Sequence, residues 1–164
     1  MLSLLPSLVV LGLAAAVAGL LTVRRPSPPA RAAARVAAAN TLLTTTLVQA
    51  VHFTEEAVTG FHIRFPALFD LPPMPYWFFM GFNLGWLYLW LLAFSRLRAA
   101  RRWAFFTAWF LALAGMLNGI AHPLFALRTG SYFPGLLSSP LIGAAGIWLW
   151  LRLRAATHSP VSRQ

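Results

Sequence analysis

Apolar residues fill five long runs of the chain, and polar or basic stretches separate the runs. A transmembrane helix needs ~20 mostly apolar residues, and each run is about that long. The pattern predicts an all-α fold, a polytopic transmembrane helical bundle of about five spans. We expect one domain over residues 1–155 and a disordered cytoplasmic tail over 156–164, with His158 exposed to solvent. The predicted spans are Leu2–Val23, Val36–Gly60, Tyr76–Phe94, Trp103–Leu127 and Phe133–Leu151.

The first run is predicted to be a retained helix. No Lys or Arg precedes it, and Arg24 and Arg25 follow it at once. A cleaved signal peptide over residues 1–23 is the alternative, since small residues resembling a cleavage region lie within it. These residues are Ala14, Ala16 and Ala18.

The distribution of arginine predicts the orientation. Eleven of the thirteen Arg residues lie in residues 24–35, 96–102 and 152–163, which five spans place on one side of the membrane. The positive-inside rule makes that side cytoplasmic, so the N-terminus is expected outside and the C-terminus inside. Only Arg64 and Arg128 are left for the outer side.

Composition supports a membrane protein and excludes several function classes. Hydrophobic residues make up 59% of the chain and charged residues 10%, whereas a soluble domain carries about 25% charged residues. The net charge of +10 does not predict nucleic-acid binding, because the cations lie between apolar runs and not on one exposed face. The absence of Cys excludes disulfides, thiolate zinc sites, iron–sulfur clusters and cysteine nucleophiles.

Two further segments have unusual composition. The outer segment Phe61–Pro75 is too aromatic for an ordinary solvated loop. We expect it either to lie along the outer headgroups or to fold over a cavity. In the last run Gly135, Gly143 and Gly146 favour close packing of helices.

The second run carries a polar stripe. At ~100° per residue its polar residues share one face of a helix, with Glu55 about 60° to the side. Such a stripe faces protein or water and not lipid, and ionisable groups within a span are functional candidates. The stripe consists of Thr45, Gln49, His52, Glu56 and Thr59.

Two other runs carry polar groups at a similar depth. Asn118 and His122 are four residues apart and lie on one helix face, and the third run carries Asn83. Helical rise places His52, Asn83 and Asn118 ~10–12 Å from the outer helix ends. It places Glu56 and His122 ~6 Å from those ends. We therefore expect a pocket near the outer leaflet, with Gln49 and Asn83 as lining residues. The expected site residues are His52, Glu55, Glu56, Asn118 and His122.

Three motifs in this order carry a resemblance to a known family. His52-x-x-Glu55-Glu56 comes first, Asn118-x-x-x-His122 follows, and Tyr132-x-Pro134-Gly135 comes last. Over roughly residues 40–145 the chain resembles the HXXEE domain family of small bacterial integral membrane proteins. The resemblance implies a bacterial inner-membrane location and functional roles for the five site residues. It implies no particular reaction.

The residue types allow a metal site. His52 and Glu56 have the i, i+4 spacing at which two side chains of one helix bind one metal. With His122 they form a His₂Glu set, which suits catalytic zinc and equally non-haem iron(II). Glu55 would then act as a general base or orient His52. Zinc would suit hydrolysis of a lipophilic ester or amide, and iron would suit oxidation.

The same residues allow three other functional interpretations. Without metal, adjacent carboxylates in a low dielectric would share a proton and could serve an acid–base isomerase. A transporter or lipid-binding protein without catalysis is the second possibility, and a purely structural His–Glu pairing is the third. We expect membrane lipids and a lipophilic small molecule as partners, and no nucleic acid.

Overall fold

A computed structural model describes residues 2–157 and shows six α-helices and no strand in that range. This confirms the all-α prediction. Short 3₁₀ turns at Leu2–Leu4 and Pro29–Arg31 precede the first two helices. The helices are α1 (Leu5–Arg24), α2 (Ala32–Thr59), α3 (Phe61–Ala67), α4 (Tyr76–Arg98), α5 (Arg102–Thr129) and α6 (Ser139–Thr157).

Three of the helical segments are long and apolar enough to cross a membrane. They are Leu2–Arg24, Tyr76–Arg98 and Arg102–Thr129, which correspond to α1 with its preceding turn, α4 and α5. The other two long helices are more polar. Helix α2 carries the predicted polar stripe, and α6 carries two arginine residues near its end.

The last helix differs from its predicted bounds at both ends. It begins at Ser139 and not at Phe133, because Pro134 and the left-handed Gly135 (φ +87°) form an irregular connection before it. It continues to Thr157, so the first two residues of the predicted tail are helical. The rest of that tail, residues 158–164 with His158, lies outside the described residues.

Helix α5 is the centre of the bundle and packs against α1, α4 and α6, while α2 packs against α4 and α6. The contact between α5 and α6 is close because glycine faces glycine there. A Cβ atom added to Gly119 would lie 2.8 Å from the Cα of Gly143, and one added to Gly146 would lie 2.7 Å from the Ala112 carbonyl oxygen. The predicted packing role is therefore confirmed for Gly143 and Gly146. It is wrong for Gly135, which precedes the helix.

The basic stretches meet at one end of the bundle, here called the arginine end. Arg25 Nε donates to Thr157 Oγ1 at 3.3 Å, and Arg35 Nε donates to the Arg98 carbonyl at 3.3 Å. Because α2 runs away from this end, Glu55 and Glu56, four and three residues before its last residue, lie near the opposite end. Glu55 and Glu56 thus lie far along the bundle axis from the arginine end, while Arg64 and Arg128 share their end of the bundle.

Candidate metal centre

Three side chains from two helices meet inside the bundle, near the end opposite the arginine end. Glu56 Oε1 lies 3.6 Å from His52 Nε2 and 3.3 Å from His122 Nε2. His52 and Glu56 come from successive turns of α2, and His122 comes from α5. All three are buried, with exposed fractions of 0%, 6% and 1%.

The backbone before α6 sets the tautomer of His122. Its Nδ1 lies 2.6 Å from the Pro134 carbonyl oxygen. A carbonyl oxygen can only accept a hydrogen bond, so Nδ1 must carry the proton. In the neutral ring Nε2 is then unprotonated, and its lone pair faces Glu56.

Ser138 sets the tautomer of His52. Ser138 Oγ donates its proton to Glu55 Oε2 and lies 2.8 Å from His52 Nδ1. Because that single hydroxyl proton is engaged with Glu55, the hydroxyl oxygen must accept from Nδ1–H of His52. His52 Nε2 is therefore also unprotonated in the neutral ring, and it has no hydrogen-bond partner among the described residues.

Glu55 is held apart from the three buried groups, on the residues that precede α6. Its oxygens accept from Tyr132 OH at 2.7 Å, Leu137 N at 3.0 Å and Ser138 N at 2.8 Å, as well as from the Ser138 hydroxyl. Partial burial and the bond to Glu55 raise the pKa of the Tyr132 phenol, so it remains a donor at neutral pH. Both carboxylate oxygens are therefore occupied, and Glu55 is linked to His52 only through the Ser138 hydroxyl.

Gly135 closes the site against the two imidazole rings. A Cβ atom added there would lie 2.5 Å from His122 Cε1 and 3.0 Å from His52 Cε1. Contacts this short cannot form, and the left-handed backbone itself favours glycine. Only glycine lets the chain pass here while both rings keep their positions.

The arrangement fits a metal ion. The candidate ligand atoms of His52, Glu56 and His122 all lie within 4.8 Å of one another. Atoms bound at ~2.0–2.1 Å on the corners of a tetrahedron lie roughly 3.3 Å apart, close to the two nitrogen–oxygen distances here. Two lone pairs directed at a carboxylate repel it unless a cation or a proton lies between them. This group could therefore hold a metal ion.

An apolar cavity of about 350 Å³ leads to the site. Glu56 and His122 form part of its wall, and aromatic side chains of α3, α4 and α5 form much of the rest. Phe61 and Phe65, from the aromatic segment after α2, belong to this wall. Of the two arrangements predicted for that segment, the structure shows the one that folds over a cavity. The cavity also reaches α1 through Pro6 and Val10.

The expected site residues fall into three groups in the structure. His52, Glu56 and His122 meet, and Glu55 reaches His52 only through Ser138. The three amide side chains line the cavity without joining that cluster. They are Gln49, Asn83 and Asn118.

Sequence reasoning missed the groups supplied by the connection before α6. The sequence predicts a motif at Tyr132, Pro134 and Gly135 and a packing role for Gly135, but it indicates no role for Ser138 and no contact of these residues with the site. A Tyr-x-Pro-Gly sequence indicates a turn but not what the turn touches. Comparisons of the chain with models of known protein families, with curated proteins and with solved structures gave no match.

Proposed function

We propose that this protein is a membrane-embedded enzyme that acts on a lipophilic or lipid-like molecule at a metal held by His52, Glu56 and His122. One observation carries the proposal. Two buried histidines each commit Nδ1 to a fixed acceptor and direct Nε2 at one buried carboxylate. Outer hydrogen bonds of this kind orient the metal-binding histidines of known sites.

Zinc and iron(II) are the metals that suit this ligand set. A bound divalent cation would act as a Lewis acid toward a substrate carbonyl or phosphoryl oxygen. The chain's own part is to hold the histidine tautomers through Ser138 and Pro134 and to exclude bulk water with an aromatic cavity. The apolar cavity supports a lipophilic substrate, and the three motifs remain the basis for proposed membership of the HXXEE family.

The proposed membrane arrangement has five spans, with the arginine end in the cytoplasm. Helices α2 and α6 would cross with their polar faces buried against the bundle. The chain has no Cys, so single cysteines at Ala100 and Ser131 can be labelled without background. We expect an impermeant maleimide added to intact cells to label the cysteine at position 131 and not the one at position 100. The reverse labelling would invert the topology and move the site to the inner leaflet.

Metal analysis tests the proposed function. Protein purified in detergent through a tag without histidine is expected to carry close to one equivalent of zinc or iron, measured by plasma mass spectrometry. Protein without stoichiometric metal, and unable to bind either ion, would refute the metal centre. Co-purified lipid in such a protein would favour the alternative of a lipid-binding or transport protein, because the cavity would then have an occupant without a catalyst.

Adjacent serines offer a matched pair of variants. Ser138→Ala removes the acceptor for His52 Nδ1, and loss of such an outer partner lowers metal affinity by about 10–100-fold. Ser139 is also buried, but its hydroxyl donates to the Leu136 carbonyl and does not contact the site. Competition with a fluorescent chelator is expected to show weakened binding for Ser138→Ala and wild-type affinity for Ser139→Ala. Equal affinities for the two variants would contradict the assigned tautomer control.

A further inference from the structure

The cavity has a second polar region on the side of the site toward the arginine end. It contains Gln49, Asn83 and Asn118, which come from three different helices. Among the cavity-lining residues, Glu56 and His122 are the only ionisable ones, so this second region carries no charge. Aromatic side chains such as Phe82 and Trp86 contribute to the wall around it.

Gln49 is the residue whose hydrogen bonding is incomplete. Its side chain is buried, with 6% exposure, and its Oε1 has no hydrogen-bond partner among the described residues. A buried polar atom left without a partner destabilises the fold. Gln49 lies on the same face of α2 as Glu56, seven residues earlier, which corresponds to a separation of about 10 Å along the helix.

The neighbouring amides of Asn83 and Asn118 do not donate a hydrogen bond to Gln49 Oε1. Asn83 donates one Nδ2–H to the carbonyl of Phe79 on its own helix and does not reach Gln49 Oε1. Asn118 lies one turn from His122 and lines the same cavity. Amides that only joined helices would be paired with one another, whereas Gln49 remains available to a ligand.

We propose that the substrate carries a second polar group, a neutral hydroxyl or amide, which binds Gln49 about 10 Å from the group held at the metal. This inference rests on the proposed function and specifies its substrate class. A hydroxyl or an amide both donates and accepts, so either group satisfies a glutamine side chain. An ionised group does not suit a region without charged side chains. The apolar lining accommodates the hydrocarbon that joins the two polar ends.

Two hydroxamates with the same head group test the inference. Octanohydroxamic acid presents a metal-binding head and an apolar chain, and 8-hydroxyoctanohydroxamic acid adds a hydroxyl at the far end. Their extended length is about the 10 Å that separates Glu56 from Gln49. For the metal-loaded wild-type protein in detergent, calorimetry is expected to show about fivefold to tenfold tighter binding of the hydroxylated compound.

Two variants locate the effect. Gln49→Met keeps the size of the side chain and is expected to abolish the preference for the hydroxylated compound. Thr46→Val changes another buried polar residue of α2, whose hydroxyl donates to the Leu42 carbonyl, and is expected to keep the preference.

The possible results distinguish failure of the Gln49 subsite from failure of the proposed metal-dependent function. Equal binding of the two hydroxamates to wild-type protein would overturn the second polar subsite and leave the metal centre standing. A preference that persists in Gln49→Met would also overturn it. Failure of both compounds to bind metal-loaded protein would contradict an accessible catalytic metal, and the inference would fall with the proposed function.

Discussion

Glu56→Gln is expected to abolish stoichiometric metal binding and to leave the protein folded. Loss of an outer hydrogen-bond partner alone lowers affinity by about 10–100-fold, so loss of the only carboxylate ligand should exceed that range. The variant should stay folded because an amide N–H can donate to His52 Nε2 or His122 Nε2, which lie 3.6 and 3.3 Å from the carboxylate oxygen it replaces. Replacing a buried charge with a neutral group of the same shape also removes a desolvation cost.

Thermal unfolding in detergent tests this prediction without an activity assay. A ligand at 100 times its Kd stabilises the native state by ~2.7 kcal/mol, so a chelator should lower the Tm of wild-type protein and added zinc should restore it. The Tm of Glu56→Gln should respond to neither treatment. A variant that still binds one equivalent of metal would show that Glu56 is not a ligand.

Gly135→Ala is expected to weaken metal binding at least tenfold by displacing both histidine rings. The new methyl group would have to occupy positions 2.5 Å from His122 Cε1 and 3.0 Å from His52 Cε1. Either the rings rotate away from Glu56, or the backbone moves and breaks the bond from His122 Nδ1 to Pro134. Both routes disturb ligand orientation, which outer contacts control.

Gly60→Ala is the matched control for backbone strain. Gly60 has nearly the same left-handed conformation, with φ +83° against +87° for Gly135, but nothing lies within 4 Å of its added Cβ atom. Each variant should therefore lose ~1–2 kcal/mol of stability from the left-handed alanine. Only Gly135→Ala should also lose metal affinity, measured by chelator competition. Equal metal affinity in both variants would remove the proposed role of Gly135 at the site.

Periodicity was enough to predict the helices and part of the site. Side-chain position on a helix repeats every 3.6 residues, so the i, i+4 pairs His52/Glu56 and Asn118/His122 could be placed on shared faces from spacing alone. The apolar runs located the five long helices to within a few residues, except at both ends of α6. Such features depend on residues close together in the chain, and local geometry governs them.

The rest depended on contacts between residues far apart in the chain. Which helix faces met, and so whether His122 reached Glu56, was set by the packing of α5 against its neighbours. The roles of Ser138 and Gly135 arise because the irregular connection before α6 passes over α2 more than 80 residues away in sequence. No periodic pattern encodes such a contact, since it results from the path of a loop across a packed bundle. Spacing along the chain was therefore enough to predict the candidate metal ligands. Long-range packing determined how their side chains are oriented and which residues of the connection before α6 lie over them.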